Sequence, residues 1–253
     1  MSAYRGLKDR ELARDGGRFI AEGEAVVRRL LASDFPVESV FVAQKRAEAM
    51  WPLVRGRATM YVASAAVVSG VMGFKFHSGV IACGRRKPPA RLEEIVGDSA
   101  KALALVACPD LSNTENLGSL VRIAAGLGAD AVLLGENCCD AFFRQSIRVS
   151  MGAVFAIPIV RSRRFLDDLG WLKRRGVAVV ATTPATSATP LDEVSPPQRA
   201  AVLFGNEAQG LGAEVMAAAD LRVQVPMHHG TDSLNVSVSA GIILYHLLRG
   251  RRR

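Results

Sequence analysis

The stretch VPMHHGTDSLNVSVSAGIILYHLL, residues 225–248, decides the fold of the C-terminal half of the chain. It predicts the end of a strand, a tight polar turn and a long helix. One apolar stripe at helical spacing faces a core, and its members are Val236, Ala240, Ile243, Leu244, Leu247 and Leu248. Small residues follow a second face, at Ser233, Ser237 and Gly241. Because small residues let a ligand or another backbone approach closely, we interpret this stretch as part of a site.

The region before this stretch alternates apolar runs with polar segments. Six runs predict strands, and each is followed by a helix or a loop: ALALVA, AVLLG, VFAIPIV, VAVVATTP, AAVLFG and LRVQVPM. Continuous apolar runs are typical of a parallel sheet covered on both faces. Residues 98–253 therefore predict a doubly wound α/β domain with a mostly parallel sheet and a ligand site at the carboxyl ends of its strands.

Residues 1–97 predict a smaller α/β domain. The segment 16–35, GGRFIAEGEAVVRRLLASDF, is interpreted as an amphipathic helix and VESVFVA as a strand. Four further segments continue the alternation of helix and strand: AEAMWPLV, ATMYVAS, AAVVSGVMG and GVIACGRRK. The Pro-rich, charged segment near residues 87–98 predicts a linker between the two domains.

Composition excludes several classes of protein. The chain has 253 residues, of which 49% are hydrophobic, so it predicts a folded globular protein. No apolar run reaches membrane-spanning length and the N-terminus lacks an apolar leader, so cytoplasm is the expected location and no membrane partner is expected. The four cysteines and four histidines lack metal-ligand spacing, so we expect free thiols and no metal.

Charge is unevenly distributed along the chain. Residues 1–97 hold 16 Lys and Arg against 10 Asp and Glu, whereas residues 98–253 hold 16 against 14. A basic N-terminal half favours a polyanionic partner such as nucleic acid. An Arg-rich but otherwise ordinary soluble protein would show the same excess.

Three polar clusters follow predicted strands. The first is a loop at residues 110–116, before a helix that is expected to begin near Gly118 and to carry Arg122. The second is LFGNEAQGLG, residues 203–212, and the third is the opening stretch. Glycine lets backbone amides approach a ligand, so the three clusters predict one pocket. Neither a dinucleotide fingerprint nor a P-loop is present, which removes support for nicotinamide, flavin and nucleoside triphosphate ligands.

In this order and at these spacings, the clusters resemble the three motifs of the SpoU family of RNA ribose 2′-O-methyltransferases, in the SPOUT superfamily. NTENLGSLVR matches the first motif at Asn116, Gly118 and Arg122. The second and third motifs match at Gly205, Asn206, Glu207 and Gly210, and at Pro226, Met227, Gly230, Ser233, Leu234, Asn235 and Ser237. FIAEGEAVVRRLL resembles the family's N-terminal substrate-binding domain, and FRQSIRVSMGAVFAIP resembles the region between motifs one and two. One departure is that His228 and His229 both precede Gly230, where the family often has a single residue.

The resemblance implies a trefoil knot, S-adenosylmethionine as methyl donor, a homodimer, and structured ribosomal or transfer RNA as substrate. A catalytically silent RNA-binding or ribosome-assembly protein of the same fold is the alternative. A base-methylating relative is disfavoured by the SLNVS run and the Arg122 motif.

The resemblance also implies roles for individual residues. Arg122 is expected to bind the phosphate beside the target ribose and to stabilise the developing alkoxide, because a guanidinium stays protonated. The other expected catalytic residues are Asn116, Glu207, Ser233 and Asn235, although the asparagines and the serine could merely cap helices. The donor is expected to contact Phe204, Gly205, Asn206, Gly210, Val225, Pro226, Met227, Leu234 and Ser237. RNA is expected to contact His77, Arg85, Arg86, Lys87, Arg148 and Ser150. The alternative for the three consecutive basic residues is that they serve only to keep a linker soluble.

Overall fold

The structure is a computed structural model that describes residues 4, 9–14, 17–64, 66–67, 70, 79–97, 100–206 and 208–249. Its strands, in chain order, are β1 Arg18–Glu22, β2 Val37–Ala43, β3 Thr59–Ala63, β4 Val80–Arg85, β5 Leu103–Cys108, β6 Ala131–Leu134, β7 Ile159–Arg161, β8 Ala178–Thr182, β9 Thr189–Pro190, β10 Arg199–Leu203 and β11 Leu221–Gln224. The described α-helices are α1 Asp9–Arg14, α2 Glu24–Ala32, α3 Ala47–Val54, α4 Leu92–Val96, α5 Thr114–Leu127, α6 Arg144–Val149, α7 Phe165–Arg174, α8 Ala213–Ala218 and α9 Val236–Leu248.

The chain divides into two compact units that are not continuous in sequence. The first unit contains residues 1–88 and also 140–156, whereas the second contains residues 89–139 and 157–253. Segment 140–156 therefore packs with the N-terminal part of the chain. The assignment of RNA binding to residues 1–97 and of methyl transfer to residues 98–253 stays a prediction.

The first unit contains a four-stranded sheet in the order β1-β4-β2-β3. β4 is antiparallel to both of its neighbours, and β2 is parallel to β3. The apolar face of α2 is buried as the spacing predicts, at Val26, Val27, Leu30 and Leu31. The predicted helix AAVVSGVMG lies mostly outside the described residues.

The prediction that residues 16–35 begin as a helix is wrong for the first part of that segment, which is strand β1. Gly23 separates the strand from α2 at a φ of 100°, a value that residues with a side chain avoid. Phe19, Ile20 and Ala21 are all buried, so the strand lacks the alternation that identifies a half-exposed strand in sequence.

Four phenylalanines form the aromatic cluster of the first unit: Phe19, Phe35, Phe142 and Phe155. Their ring centroids lie 5.4 to 5.9 Å apart in five pairs. Two of the rings come from segment 140–156, so that segment completes the packing of the unit. Aromatic pairs at such distances add stabilisation beyond their buried area.

The second unit contains a seven-stranded sheet in the order β7-β6-β5-β10-β8-β11-β9, in which every neighbouring pair is parallel. Every residue of β5, β6 and β10 is buried. The predicted α/β domain with a mostly parallel sheet is confirmed, and the strand order of β5, β10 and β8 brings the loops after them to one edge of the sheet.

One predicted strand is shorter than expected, and the two-residue strand β9 was not predicted. The run VFAIPIV holds a strand only at β7, because residues 153–155 form a 3₁₀ turn and Phe155 joins the aromatic cluster of the first unit. The segment predicted as a linker contains α4, whose Leu92 and Val96 are buried in the core of the second unit. Within the described part of the chain, no helix has both the length and the apolar character needed to cross a membrane.

Candidate active site

A cavity of about 620 Å³, the donor cavity, opens at the carboxyl ends of β8, β10 and β11 in the second unit. It gathers most of the residues predicted from the second and third motifs. Those that line it are Phe204, Gly205, Asn206, Gly210, Val225, Met227, Ser233, Leu234 and Asn235. Pro226 and Ser237, which were also expected to contact the donor, are not among the residues that line it. Ser237 is buried in the first turn of α9, and Pro226 lines a separate depression beside Tyr245.

The loop after β10 closes on itself beside this cavity. Asn206 and Gly210 exchange two backbone hydrogen bonds, of 3.0 and 2.8 Å, and the Asn206 side chain accepts a third from the Ala208 amide at 2.9 Å. A Cβ atom on Gly205 would lie 2.3 Å from the carbonyl carbon of Gly210. Position 205 therefore requires glycine because two backbone segments approach closely there. Position 210 favours glycine because its φ is +67°.

Two asparagines connect the first motif to the third. The Asn235 amide nitrogen donates to Asn116 Oδ1 at 3.0 Å, while Asn235 Oδ1 accepts from the Ser237 backbone amide at 2.9 Å. Asn235 thus caps α9 and contacts α5 at the same time, and the two uses of this side chain do not exclude each other. The Ser237 hydroxyl also lies 3.5 Å from the Asn116 carbonyl oxygen.

The helix of the first motif begins earlier than the sequence predicts. α5 starts at Thr114, four residues before Gly118, and its cap is Asn113, whose side chain accepts from the amides of Glu115 and Asn116. Asn116 consequently lies in the first helical turn and does not provide the cap. Ser233 is exposed on the cavity rim and precedes the cap of α9 by two residues.

Arg122 lies on α5 with an exposed side chain. Its guanidinium makes no hydrogen bond or ion pair to the residues that the structure describes, and it does not line the donor cavity. The side chain is therefore available to a polyanion. Glu207, the remaining expected catalytic residue, and His77, an expected RNA contact, lie outside the described residues.

The basic run at residues 85–87 is engaged within the first unit. Arg85 pairs with Glu38, Arg86 pairs with Asp140 at 2.7 Å, and Lys87 pairs with Asp34 at 2.5 Å. Arg86 and Lys87 also lie over aromatic rings, those of Phe142 and Phe35, at 5.2 and 4.9 Å from the centroids. These contacts give the run a structural role, and its contact with RNA stays a prediction.

The carboxylate of Glu38 is held in its charged form by two arginines. Burial alone would raise the pKa of Glu38, but hydrogen bonds from Arg85 and Arg18 lower it below its ordinary value. The stabilisation is present above the ordinary pKa of a glutamate and is lost as the pH falls through the lowered value. The pairing thus persists at neutral pH.

The two expected RNA contacts in segment 140–156 differ in exposure. Arg148 is exposed on α6. Ser150 is only 1% exposed, and its hydroxyl donates to the Ile147 carbonyl at 2.9 Å. The hydroxyl thus closes the C-terminal turn of α6, which gives Ser150 a structural role, and its contact with RNA stays a prediction.

The extra histidine before Gly230 is accommodated in a turn. His229 and Gly230 have φ values of 55° and 70°, and the Thr231 amide donates to the His228 carbonyl at 3.1 Å. Both imidazoles are exposed and neither lines the donor cavity. Both histidines therefore belong to an exposed turn outside the lining of the donor cavity.

The end of β8 contributes cavity residues that the sequence did not predict, namely Thr182, Thr183 and Pro184. The Thr182 hydroxyl donates to the Leu203 carbonyl at 2.7 Å, which ties the ends of β8 and β10 together. Their position directly after a continuous apolar run was the available signal, because parallel strands end at the same edge. Among the described residues, no group of three or more histidine, cysteine or acidic side chains is arranged to hold a metal ion.

The sequence pattern of the SpoU rRNA methylase family matches residues 104–245, which is more than half of the chain. The chain belongs to the SpoU rRNA methylase family. This range contains all three motifs and the whole lining of the donor cavity.

Relatives support the same assignment over most of the chain. A tRNA/rRNA methyltransferase of Mycobacterium bovis, described as uncharacterized, is 39% identical over 91% of this chain and 80% of its own length. The 23S rRNA (guanosine(2553)-2′-O)-methyltransferase RlmP of Bacillus subtilis is 37% identical over 61% of this chain and 60% of its own.

Solved structures agree with the observed fold. An AdoMet-bound rRNA methyltransferase of Sinorhizobium meliloti aligns with a TM-score of 0.82 and 25% identity, over 99% of this chain and 94% of that one. An RNA 2′-O ribose methyltransferase aligns with a TM-score of 0.79 and 33% identity, over 99% and 95%. The predictions of a SpoU-family RNA methyltransferase and of S-adenosylmethionine as its cofactor are confirmed.

Proposed function

We propose that this SpoU-family protein methylates a ribose 2′-hydroxyl in structured ribosomal or transfer RNA, in the cytoplasm where those RNAs occur. The observation that carries the proposal is the contact between the first and third motifs, in which Asn235 beside the donor cavity donates to Asn116. Methyl transfer to a hydroxyl needs the two reactants aligned. The hydrogen bond between Asn235 and Asn116 fixes two polar side chains at the cavity rim, where they can provide such alignment.

The donor cavity fits S-adenosylmethionine in size and chemistry. Its volume of about 620 Å³ lies within the range of cofactor sites. Among the described lining residues Asp232 alone carries a charge, which suits a ligand with sulfonium and ammonium groups and disfavours a phosphate-rich one. When bound, S-adenosylmethionine supplies an electrophilic methyl group. The backbone around Gly205 and the apolar side chains of Met227 and Leu234 would hold its adenosine.

Arg122 is proposed to act on the RNA. A guanidinium does not lose its proton at neutral pH, so a role as general base is unsuitable. Its exposure and lack of a described partner suit binding to the phosphate beside the target ribose. There it would stabilise negative charge as the 2′-oxygen loses its proton.

A homodimer is proposed because α9 presents an apolar stripe away from the core. Val238, Ile242 and Tyr245 are 52%, 40% and 68% exposed and recur at i, i+4 and i+7. A second copy of the same helix would cover this stripe with identical side chains, as symmetric interfaces do. The dimer would also explain how Arg122, which does not line the cavity of its own chain, reaches a cavity. The trefoil knot is proposed on the strength of the SpoU family match and of the alignment with an RNA 2′-O ribose methyltransferase over nearly the whole chain.

The test is methyl transfer from tritiated S-adenosylmethionine to total RNA from cells that lack the gene. We expect Arg122→Ala to lower turnover by about 100-fold or more, as removal of an oxyanion-stabilising group does. Donor affinity, measured by calorimetry, should stay within several-fold of wild type. Arg174→Ala, which removes an exposed arginine from α7, is the control and should leave both values unchanged.

Two outcomes would contradict the proposal at different points. Turnover of Arg122→Ala at the wild-type rate would show that Arg122 has no role in methyl transfer, while the proposed methyltransferase activity would stand. If the wild-type protein does not bind S-adenosylmethionine and transfers no methyl group to any RNA, the silent RNA-binding alternative is favoured.

A further inference from the structure

A second cavity, of about 540 Å³, lies at the carboxyl ends of β5 and β6 in the second unit. It shares Asn206, Gln209 and Gly210 with the donor cavity. The two cavities therefore adjoin at one loop. A group bound in the second cavity would be a close neighbour of the donor.

The second cavity combines an apolar wall with polar edges. Pro109, Phe165, Leu166 and Val215 form the apolar part, and Asn137 contributes an amide. A flat apolar surface beside hydrogen-bonding groups is how proteins hold an unstacked nucleobase. Apart from Asp110, which begins the first polar cluster, and the shared loop, the residues of this cavity were not identified in the sequence.

Two of the three carboxylates of the second cavity have partners among the described residues. Arg164 pairs with Asp167 at 2.6 Å, and one oxygen of Glu136 accepts from the Phe165 backbone amide at 2.9 Å. Asp110 is half-buried and makes no side-chain hydrogen bond or ion pair to the described residues. A half-buried carboxylate without a partner is an acceptor that favours a ligand with donors.

We propose that the second cavity receives the base of the target nucleotide and that this base is guanine, with Asp110 accepting hydrogen bonds from its N1–H and its N2 amino group. The inference rests on the proposed function, because it assigns the substrate of that same site. The ribose would then lie beside the loop at residues 206–210, between its base and the methyl donor.

The choice of guanine follows from the chemistry of the Watson–Crick edges. Guanine presents two adjacent donors, which a carboxylate accepts as a pair. Adenine and cytosine present an acceptor beside their amino group, and uracil presents one donor between two acceptors. With these three bases the carboxylate would face at least one acceptor, a ring nitrogen of adenine or cytosine or a carbonyl oxygen of uracil, and two acceptors repel each other.

The first experiment identifies the methylated nucleoside. Total RNA from cells lacking the gene is methylated by the wild-type protein, digested and examined by mass spectrometry, and we expect 2′-O-methylguanosine. Methyl groups on the ribose of adenosine, cytidine or uridine would overturn this inference and leave the proposed function intact. Transfer to no RNA would overturn the proposed function, and this inference with it.

The second experiment tests Asp110 on a short RNA that contains the mapped site with either guanosine or inosine, which lacks the N2 amino group. For the wild-type protein we expect inosine to lower kcat/KM by about 10-fold or more, the size of a lost hydrogen bond to a charged group. Asp110→Asn should lower kcat/KM by a similar factor on guanosine. Because both changes remove the same contact, their combined effect should be far smaller than the product of the two.

Controls separate recognition from stability. Asp110→Asn should bind S-adenosylmethionine within about twofold of wild type and unfold at a similar temperature, as should Glu214→Gln, which alters an exposed carboxylate on α8. If Asp110→Asn discriminates between guanosine and inosine as strongly as the wild-type protein does, Asp110 does not read the base. The inosine comparison on the wild-type protein needs no variant, so it stands even where a substitution impairs folding.

Discussion

Gly205 is held between backbone segments that leave no room for a side chain. The atoms that a Cβ would meet are the carbonyl carbon and oxygen of Gly210 and the Leu211 nitrogen, at 2.3 to 2.5 Å. Backbone atoms cannot rotate aside as a side chain can, so any larger residue must open the loop. Gly212, seven positions further along, has open space around it and an ordinary φ of −61°.

We expect Gly205→Ala to weaken S-adenosylmethionine binding by at least about 10-fold, because opening the loop moves the backbone that lines the donor cavity. Calorimetric titration gives the affinity, and thermal unfolding shows whether the effect is confined to the loop. Gly212→Ala, a matched change in the same loop, should alter affinity by less than about twofold. Equal affinities for the two variants would show that closure of the loop is not required for donor binding.

Residues of the site were predictable where the chemistry required a particular residue type in a loop. Gly205 and Gly210 belong to this group, because close backbone approach and positive φ restrict the choice. The contact between Asn116 and Asn235 was not predictable, since it joins positions 119 residues apart through the packing of two helices. Asp110 lies in a loop that the sequence predicts to face a pocket, but its own role was not predictable, because only the fold shows that the loops after β5 and β6 enclose a second cavity.

Among the elements, α9 is apolar on two faces, and the sequence distinguishes them only in part. The stripe that includes Ala240 and Leu244 is buried as predicted, while Val238, Ile242 and Tyr245 are exposed. A helix that is apolar nearly all round predicts burial against more than one neighbour. The spacing predicted the inner face, but the outer face has no partner within the described part of a single chain.

A negative charge in the outer stripe should separate the proposed dimer. We expect Tyr245→Glu to be monomeric by light scattering coupled to gel filtration, because burying a carboxylate without a partner costs several kcal/mol. RNA methylation should fall with dimer content. Val62→Glu, at an exposed apolar position on β3, is the control and should stay dimeric. A wild-type chain that is already monomeric, or a Tyr245→Glu chain that remains a dimer, would contradict the interface.

The elements that were misassigned share a cause in tertiary packing. β1 is covered on both faces, so its residues lack alternation, and residues 153–155 form a turn because Phe155 packs among aromatic rings contributed by other parts of the first unit. Local patterns located six of the seven strands of the second unit, because continuous apolar runs are hard to place other than in a covered sheet. They placed β7 only in part and did not reveal the two-residue strand β9. Packing across distant positions decided the rest.

Considered as a whole molecule, the chain does not separate at one boundary. The first unit needs residues 140–156, which supply Phe142 and Phe155 to the aromatic cluster and Asp140 to the pairing with Arg86. Without them Phe19 and Phe35 would lose most of their aromatic neighbours, and the guanidinium of Arg86 would lose its carboxylate.

We expect residues 1–97, expressed alone, to lack a cooperative thermal transition. Joining residues 140–156 to them through a flexible linker should restore one, because the aromatic cluster is then complete. The matched control carries Phe142→Ser and Phe155→Ser in the joined segment and should again fail to unfold cooperatively. A cooperative transition in residues 1–97 alone would show that segment 140–156 is dispensable for folding of the first unit.

The discontinuity of the first unit also sets an order of events during synthesis. A domain made of residues 1–88 alone could begin to fold as soon as it left the ribosome, as N-terminal domains commonly do. Here the aromatic cluster stays incomplete until residue 156 has been translated. Because translation proceeds at about 5–20 residues per second, Phe142 and Phe155 are added several seconds after Phe19 and Phe35, whose rings stay exposed until then. In that interval we expect the nascent chain to expose apolar surface of the kind that chaperones bind.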